Sequence, residues 1–302
     1  MVSPCAKRLA VEHLKDQKSC SERNACKLIG ISRNVARYKF RLKPDEQELI
    51  ELIQSLASKH KRYGYKRITK LVRREGKLVN KKRIERIWYE QGLSLCRRKA
   101  KKRKYGTTDF TINKAERKNH VWTYDFVSDR TEKGRKLRFL CVVDEYTREC
   151  LAIRVEPSIC SAQVLDTLEW LFLIRGVPDY IRSDNGPEFI AHDLCKWLTD
   201  KGCETIFITP ASPWENAYIE SFNGKFRDEC LNCELFANGR QAQIIAENWR
   251  VEYNTYRPHN SLGYMTPEEF ADNSGNCVRP TVSLHSQNGN QNQRITEKTT
   301  KF

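Results

Sequence analysis

Three observations predict an α/β fold, a mixed five-stranded sheet with flanking helices preceded by an all-α basic region. The charge is divided: residues 1–105 carry 31 Lys and Arg against 10 Asp and Glu, and the rest carries 23 against 28. Apolar spacing before residue 97 is helical. From His120 it changes to short alternating or continuous apolar runs separated by helical stretches. At 302 residues the chain has material for two domains or more, each with a real core.

The first helix is read from Ala6 to Lys15, with Leu9, Ala10 and Leu14 at helical spacing. Ser21 is placed to cap a second helix that stops at Gly30, and Ser32 to cap a third over "RNVARYKFR". Helix, turn, helix, turn and basic helix form a helix-turn-helix-like pattern over residues 1–42. Pro44 opens a second unit, residues 43–96. There Ile68, Leu71 and Val72 mark one helix ending at Gly76, and Asn80 caps another with Ile84, Ile87 and Trp88 inward and Gly92 after it. Lys66, Arg67, Lys70 and Arg73 ride the first of this pair, and Lys81, Lys82 and Arg83 the second. Residues 97–119 read as a basic linker able to track a phosphate backbone.

In residues 120–272, "VWTYDFV", "KLRFLCVVDEY" and "ECLAIRVE" are read as three strands. A helix over 161–175, the strand "DYIRSD", a helix over 187–201, the strand "CETIFIT" and a helix over 215–232 follow. This is the element order of an RNase H-like mixed sheet. Residues 273–302 are polar and nearly free of aromatics, so disorder is expected there.

The composition also excludes classes of function. The longest apolar runs are too short to span a bilayer, and the N-terminus lacks a signal-type apolar region, so no membrane is expected and the cytoplasm is the expected location. The 12 cysteines are scattered, which fits reduced thiols. Cys230 and Cys233 form the only C-x-x-C pair, without the second pair a structural zinc site needs. A net charge of +21 in the first third points to a nucleic acid.

In such a chain the carboxylates stand out. Asp125 lies inside an apolar-aromatic strand, where an uncompensated charge is costly. Asp184 ends a strand before Asn-Gly, and Glu220 lies on a helix, with 35 residues between them. Each has a plainer role available: an Asx-turn for Asp184, a solvated helix position for Glu220, an edge-strand charge for Asp125. Brought together they would repel one another unless a hard divalent cation, Mg²⁺ or Mn²⁺, sat among their oxygens. A pair of such ions serves phosphodiester chemistry. Glu188 and Asp144 are the acidic residues most easily mistaken for site members.

"TYDFV", "SDNGPEF" and "NAYIESFNGKFRDE" resemble the D, D, 35-residue gap, E signature of bacterial insertion-sequence transposases and retroviral integrases. More closely the chain resembles the OrfB product of the insertion-sequence-3 family. "SERNACKLIGISRNVARY", "RYGYKRITKLVRREG", "VVDEYTRECLAI", "SPWENAYIESFNGKFRDE" and "YNTYRPHNSLGYMTPEEF" carry the likeness over residues 3–271. The resemblance implies an integrase catalytic core and a Mg²⁺-dependent transposase that cleaves and transfers strands at element ends. It implies Asp125, Asp184 and Glu220 as the catalytic, metal-holding triad, with two ions. Arg227, seven residues after Glu220, would share its helix face and meet DNA; Lys225 is also expected to meet DNA. Double-stranded DNA of element ends and target is the implied partner. A homo-oligomer on that DNA is expected, together with an upstream segment carrying a further helix-turn-helix and a leucine zipper. The alternatives are a non-catalytic DNA-binding regulator with a retained integrase fold, and an RNase H-like nuclease.

Overall fold

Strand β1 (Val121–Arg130) is the middle of a five-stranded sheet ordered β3-β2-β1-β4-β5. In this computed structural model, which describes residues 4–18, 20–38, 44–94, 114–184, 186, 188–208 and 216–275, the chain divides into two units. One comprises 1–60 and 78–93, the other 61–77 and 94–302.

The second unit holds the sheet. β2 (Lys136–Asp144) pairs antiparallel with β1 and with β3 (Cys150–Glu156). β4 (Tyr180–Ser183) runs parallel to β1, and β5 (Glu204–Phe207) parallel to β4. Alternation sends successive side chains to opposite faces. Trp122, Tyr124, Leu140, Val142 and Ile181 pack with α7 (Ser161–Arg175) and α8 (His192–Asp200). Val127, Phe139, Cys141 and Val143 pack on the other face with α9 (Ala217–Glu229) and α10 (Gly239–Thr255). α11 (Pro267–Gly275) follows, and α5 (Tyr65–Arg74) also belongs to this unit. No described helix is long and apolar enough to cross a membrane.

β3 is an edge strand, and α10 covers it with side-chain amides in place of a further strand. Gln243 accepts from Val155 N at 2.8 Å and donates to Ile153 O at 2.9 Å. Asn254 accepts from Cys150 N and donates to Cys150 O. These bonds occupy backbone groups that would otherwise template pairing with another chain.

The first unit is helical. α1 (Pro4–Lys18), α2 (Glu22–Ile29) and α3 (Arg33–Ala36) enclose Val11, Ala25 and Cys26. Ser21 and Ser32 accept the capping bonds expected of them, and Gly30 takes the left-handed conformation that ends α2. α4 (Glu46–Lys59) and α6 (Lys81–Glu90) complete the unit, with Asn80 capping α6. The second helical pair read at 43–96 is thus divided: α6 lies in the first unit and α5 in the second. α4 starts after Asp45 instead of at Pro44, and α8 starts at His192 because residues 188–191 form a turn. α10 and α11 were not foreseen. The linker read at 97–119 lies outside the described residues as far as 113, and the tail does so beyond Gly275.

Candidate active site

The β1–β4 register sets the site. Val121, Trp122 and Thr123 lie beside Tyr180, Ile181 and Arg182. Two residues further along are Asp125, within β1, and Asp184, the first residue past the end of β4. Ile181 points to the α7 and α8 face, so alternation turns Arg182 and Asp184 toward the α9 face, where Asp125 also lies.

α9 runs along β1, held by three bonds. Thr123 Oγ1 is 3.1 Å from Asn216 Oδ1, Asn223 Nδ2 donates to Asp125 Oδ2 at 2.8 Å, and Arg227 donates to Ser128 O at 3.1 Å. Asn216, Glu220, Asn223 and Arg227 are spaced i, i+4, i+7 and i+11, a single helical stripe. Glu220 sits exposed in the first turn of α9, next to the Asn223 that grips Asp125.

Asp125 is half-buried, and its pKa is pushed up to about 6. Loss of hydration is the main cause. The Phe126 N–H at 2.7 Å and Asn223 oppose it, while the charges of Asp184 and Glu220 add to it. Asp184 and Glu220 thus both lie within electrostatic reach of Asp125. Among the described residues, no group of three or more His, Cys, Asp or Glu is already gathered closely enough to hold a metal. The donor set is oxygen only, as a hard cation requires.

Asp184 also forms the Asx-turn open to it, accepting from Gly186 N at 3.0 Å. A Cβ at Gly186 would lie 3.0 Å from that same Oδ1 and 3.3 Å from Glu188 Oε2, so the glycine leaves room for the carboxylate. Glu188 is spent on Arg138 at 2.5 Å. Asp144 is buried and accepts from the N–H groups of Asn119, Tyr146 and Thr147, which anchors a turn away from the site. Tyr124, next to Asp125, is fully buried on the opposite face, 4.4 Å from the Phe189 ring.

The residues read as DNA contacts divide. Arg227, Lys66, Arg73, Lys81 and Lys82 are exposed. Arg67 bonds Glu229 at 3.1 Å, and Arg83 bonds Asp45 at 2.9 Å and also Glu46, so these two spend their charge inside the protein. Lys70 lies over the Tyr264 ring at 5.6 Å, and Lys225 is half-buried on α9. Asn223 was missed from sequence, although its spacing from Glu220 was visible. Its Oδ1 is buried without a hydrogen-bond partner among the described residues.

Comparison with known proteins adds relatives. An integrase core domain is matched over residues 115–213 and again, in a second form, over 201–267; an HTH-like domain is matched over 44–102. The chain is 40% identical to the insertion element IS476 uncharacterized 39.2 kDa protein of Xanthomonas euvesicatoria, over 90% of this chain and 78% of that one. It is 39% identical to the insertion element IS407 uncharacterized 31.7 kDa protein of Burkholderia multivorans, over 85% and 93%. The transposase InsF for insertion sequence IS3A of Escherichia coli K12 is 23% identical over 85% and 96%. Among solved structures, the HTLV-2 integrase catalytic core domain in complex with magnesium gives a TM-score of 0.40 at 17% identity, covering 51% of this chain and 97% of that one.

Proposed function

The chain belongs to the bacterial insertion-element transposases of the insertion-sequence-3 type, which place an integrase core behind an HTH-like domain, and we propose that it cleaves the DNA ends of such an element and transfers them to new DNA at Asp125, Asp184 and Glu220. The observation that carries this is the half-buried Asp125 on the central strand, gripped by Asn223 of α9, with Asp184 and Glu220 near enough to add to the loss of hydration that raises its proton affinity.

Asp125, Asp184 and Glu220 would hold Mg²⁺ or Mn²⁺, two ions in all. When bound, the cations polarise the phosphoryl group and ease deprotonation of the attacking hydroxyl. Asn223 fixes one oxygen of Asp125 and so orients the carboxylate. Arg227, on the stripe of Glu220, has an exposed guanidinium for a phosphate beside the cut. The attacking groups are water and then a DNA 3′ hydroxyl. No side-chain nucleophile is used, and Tyr124 faces the wrong side of the sheet to be one. Exposed lysines Lys66, Lys81 and Lys82 supply phosphate contacts, whereas Arg67 and Arg83 hold the protein's own acidic residues. Bringing two ends together calls for at least two copies on the DNA.

The test is joining of a labelled element-end duplex to a plasmid by the purified chain with Mg²⁺. Joined product that disappears with a chelator supports the proposal. Binding of the same DNA with no cleavage or joining in Mg²⁺ or Mn²⁺ favours a non-catalytic regulator.

A further inference from the structure

α9 carries a second stripe of side chains, across the buried row Ile219, Phe222 and Phe226 from the carboxylate side. Tyr218, Lys225 and Glu229 are spaced i, i+7 and i+11 and share it. Cations crowd this stripe. Arg148, in the turn between β2 and β3, has its guanidinium carbon 3.8 Å from the centre of the Tyr218 ring. Arg67 of α5 bonds Glu229 at 3.1 Å, and Arg257 bonds it twice at 2.6 Å.

Glu229 is therefore already committed to two arginines. His259, 3.4 Å from Arg257, is held neutral, its pKa pushed down to about 2 by burial and by Arg257 and Lys225. Among the described residues neither the Lys225 ammonium nor the Arg148 guanidinium forms a hydrogen bond or ion pair; the Arg148 backbone N–H donates to Asp144 O at 2.9 Å. Burial first, then Arg257, lowers the Lys225 pKa to about 8; Arg67 and Arg148 act the same way, and only Glu229 opposes them. A half-buried cation among cations is unfavourable unless an anion completes the site. Arg148 also has a φ of 65°, uncommon for a residue with a side chain. The ring fixes the guanidinium plane without neutralising the charge.

We propose that Lys225 and Arg148 form a second phosphate site on α9, which takes a phosphodiester of the DNA strand leading away from the carboxylates. Five residues of helix put Lys225 about 7.5 Å along the axis and about 140° around it from Glu220, so a strand reaches it by crossing the exposed side of α9 from the carboxylates. Arg148 offers a planar pair of donors and Lys225 a compact charge, a combination suited to phosphate oxygens. The proposal rests on the chain acting on DNA as a transposase.

The experiment is a salt titration of binding between the full chain and a labelled element-end duplex, for wild type, Lys225→Met and Arg148→Asn, with melting temperatures of the DNA-free proteins. Each variant should lower the magnitude of the log-affinity against log-salt slope by about 0.9. DNA-free Lys225→Met should melt at or above wild type, because an uncompensated charge has been removed. Unchanged slopes for both variants overturn the proposal. So does a lower melting temperature of Lys225→Met with its slope intact, which would make the lysine structural. Inorganic phosphate is the second arm. If it raises the wild-type melting temperature and not that of Lys225→Met, while duplex slopes stay equal, the site serves free phosphate and the strand contact is wrong. Reduced slopes in a protein that joins no ends would keep this site and remove the transposase reading.

Discussion

Asp125 bears the largest local cost in the site. Its folded pKa of about 6 lies above the ordinary carboxylate value near ~3.9. Between those values the folded state holds a proton that the unfolded state has released, so stability falls as pH rises through that window. Asp125→Asn should therefore stabilise the metal-free protein at pH 7 by about 1–2 kcal/mol, after allowance for partial solvent screening. The same substitution should gain little at pH 4, and denaturant melts at the two pH values check the sign. Asn223 acts one bond further out. Asn223→Ala should lower strand transfer by about 10- to 100-fold, as loss of a bond to a metal-holding carboxylate commonly does. Titration of activity with Mn²⁺ should show the loss as weaker metal affinity; a loss of turnover at saturating Mn²⁺ with unchanged affinity would argue against a positioning role. The three carboxylates proposed as the site stand out in sequence because each sits at a marked place: inside an apolar strand, at a strand end, on a helix. Asn223 was not, since an amide in a helix bears no chemical mark until its partner is known. Arg67 and Arg83 misled for a related reason. Glu229 lies 162 residues from Arg67, so composition cannot distinguish a spent cation from an available one.

At the scale of elements, α5 shows how charge and structure can diverge. It reads as a DNA-facing basic helix, yet it carries Arg67 into a largely buried network with Glu229 and Arg257, and it sends Arg74 to Glu269 and to the carbonyl of Tyr256. The side chains of Arg257 and Glu229 keep only 1% and 9% of their exposure. Removing one member of such a group leaves a buried charge unpaired, which costs about 3–5 kcal/mol. Glu229→Gln should lower the unfolding free energy of the metal-free protein by that order, read as an earlier denaturant midpoint at unchanged slope; a change under about 1 kcal/mol would mean that the network is solvated. The order of strands and helices along the chain was legible because alternating and continuous apolar runs follow one another as a mixed sheet requires. α10 went unread although Ala242, Ala246 and Tyr253 keep helical spacing, because Arg, Gln and Glu fill the intervening positions and dilute the signal. Its covering of the β3 edge through Gln243 and Asn254 could not be foreseen, since amide side chains standing in for a strand leave no periodic trace.

At the scale of the whole molecule, the sequence divides its labour by charge. The first third is strongly basic, while the mildly acidic remainder builds a sheet with Asp125 in its central strand and Asp184 just past the end of the neighbouring one. The chemistry needs both parts, but the cut itself is assigned to three side chains, so their substitution separates binding from catalysis. The most direct measurement is single-turnover cleavage and joining of a labelled element-end duplex in Mg²⁺ by wild type, Asp125→Asn, Asp184→Asn and Glu220→Gln, with binding to the same duplex followed in parallel. The expected result is loss of product by about a thousandfold or more in each variant, with affinity for the duplex within a few-fold of wild type. Near-normal joining by any one of the three would contradict the assignment of that residue, and near-normal joining by all three would contradict the account.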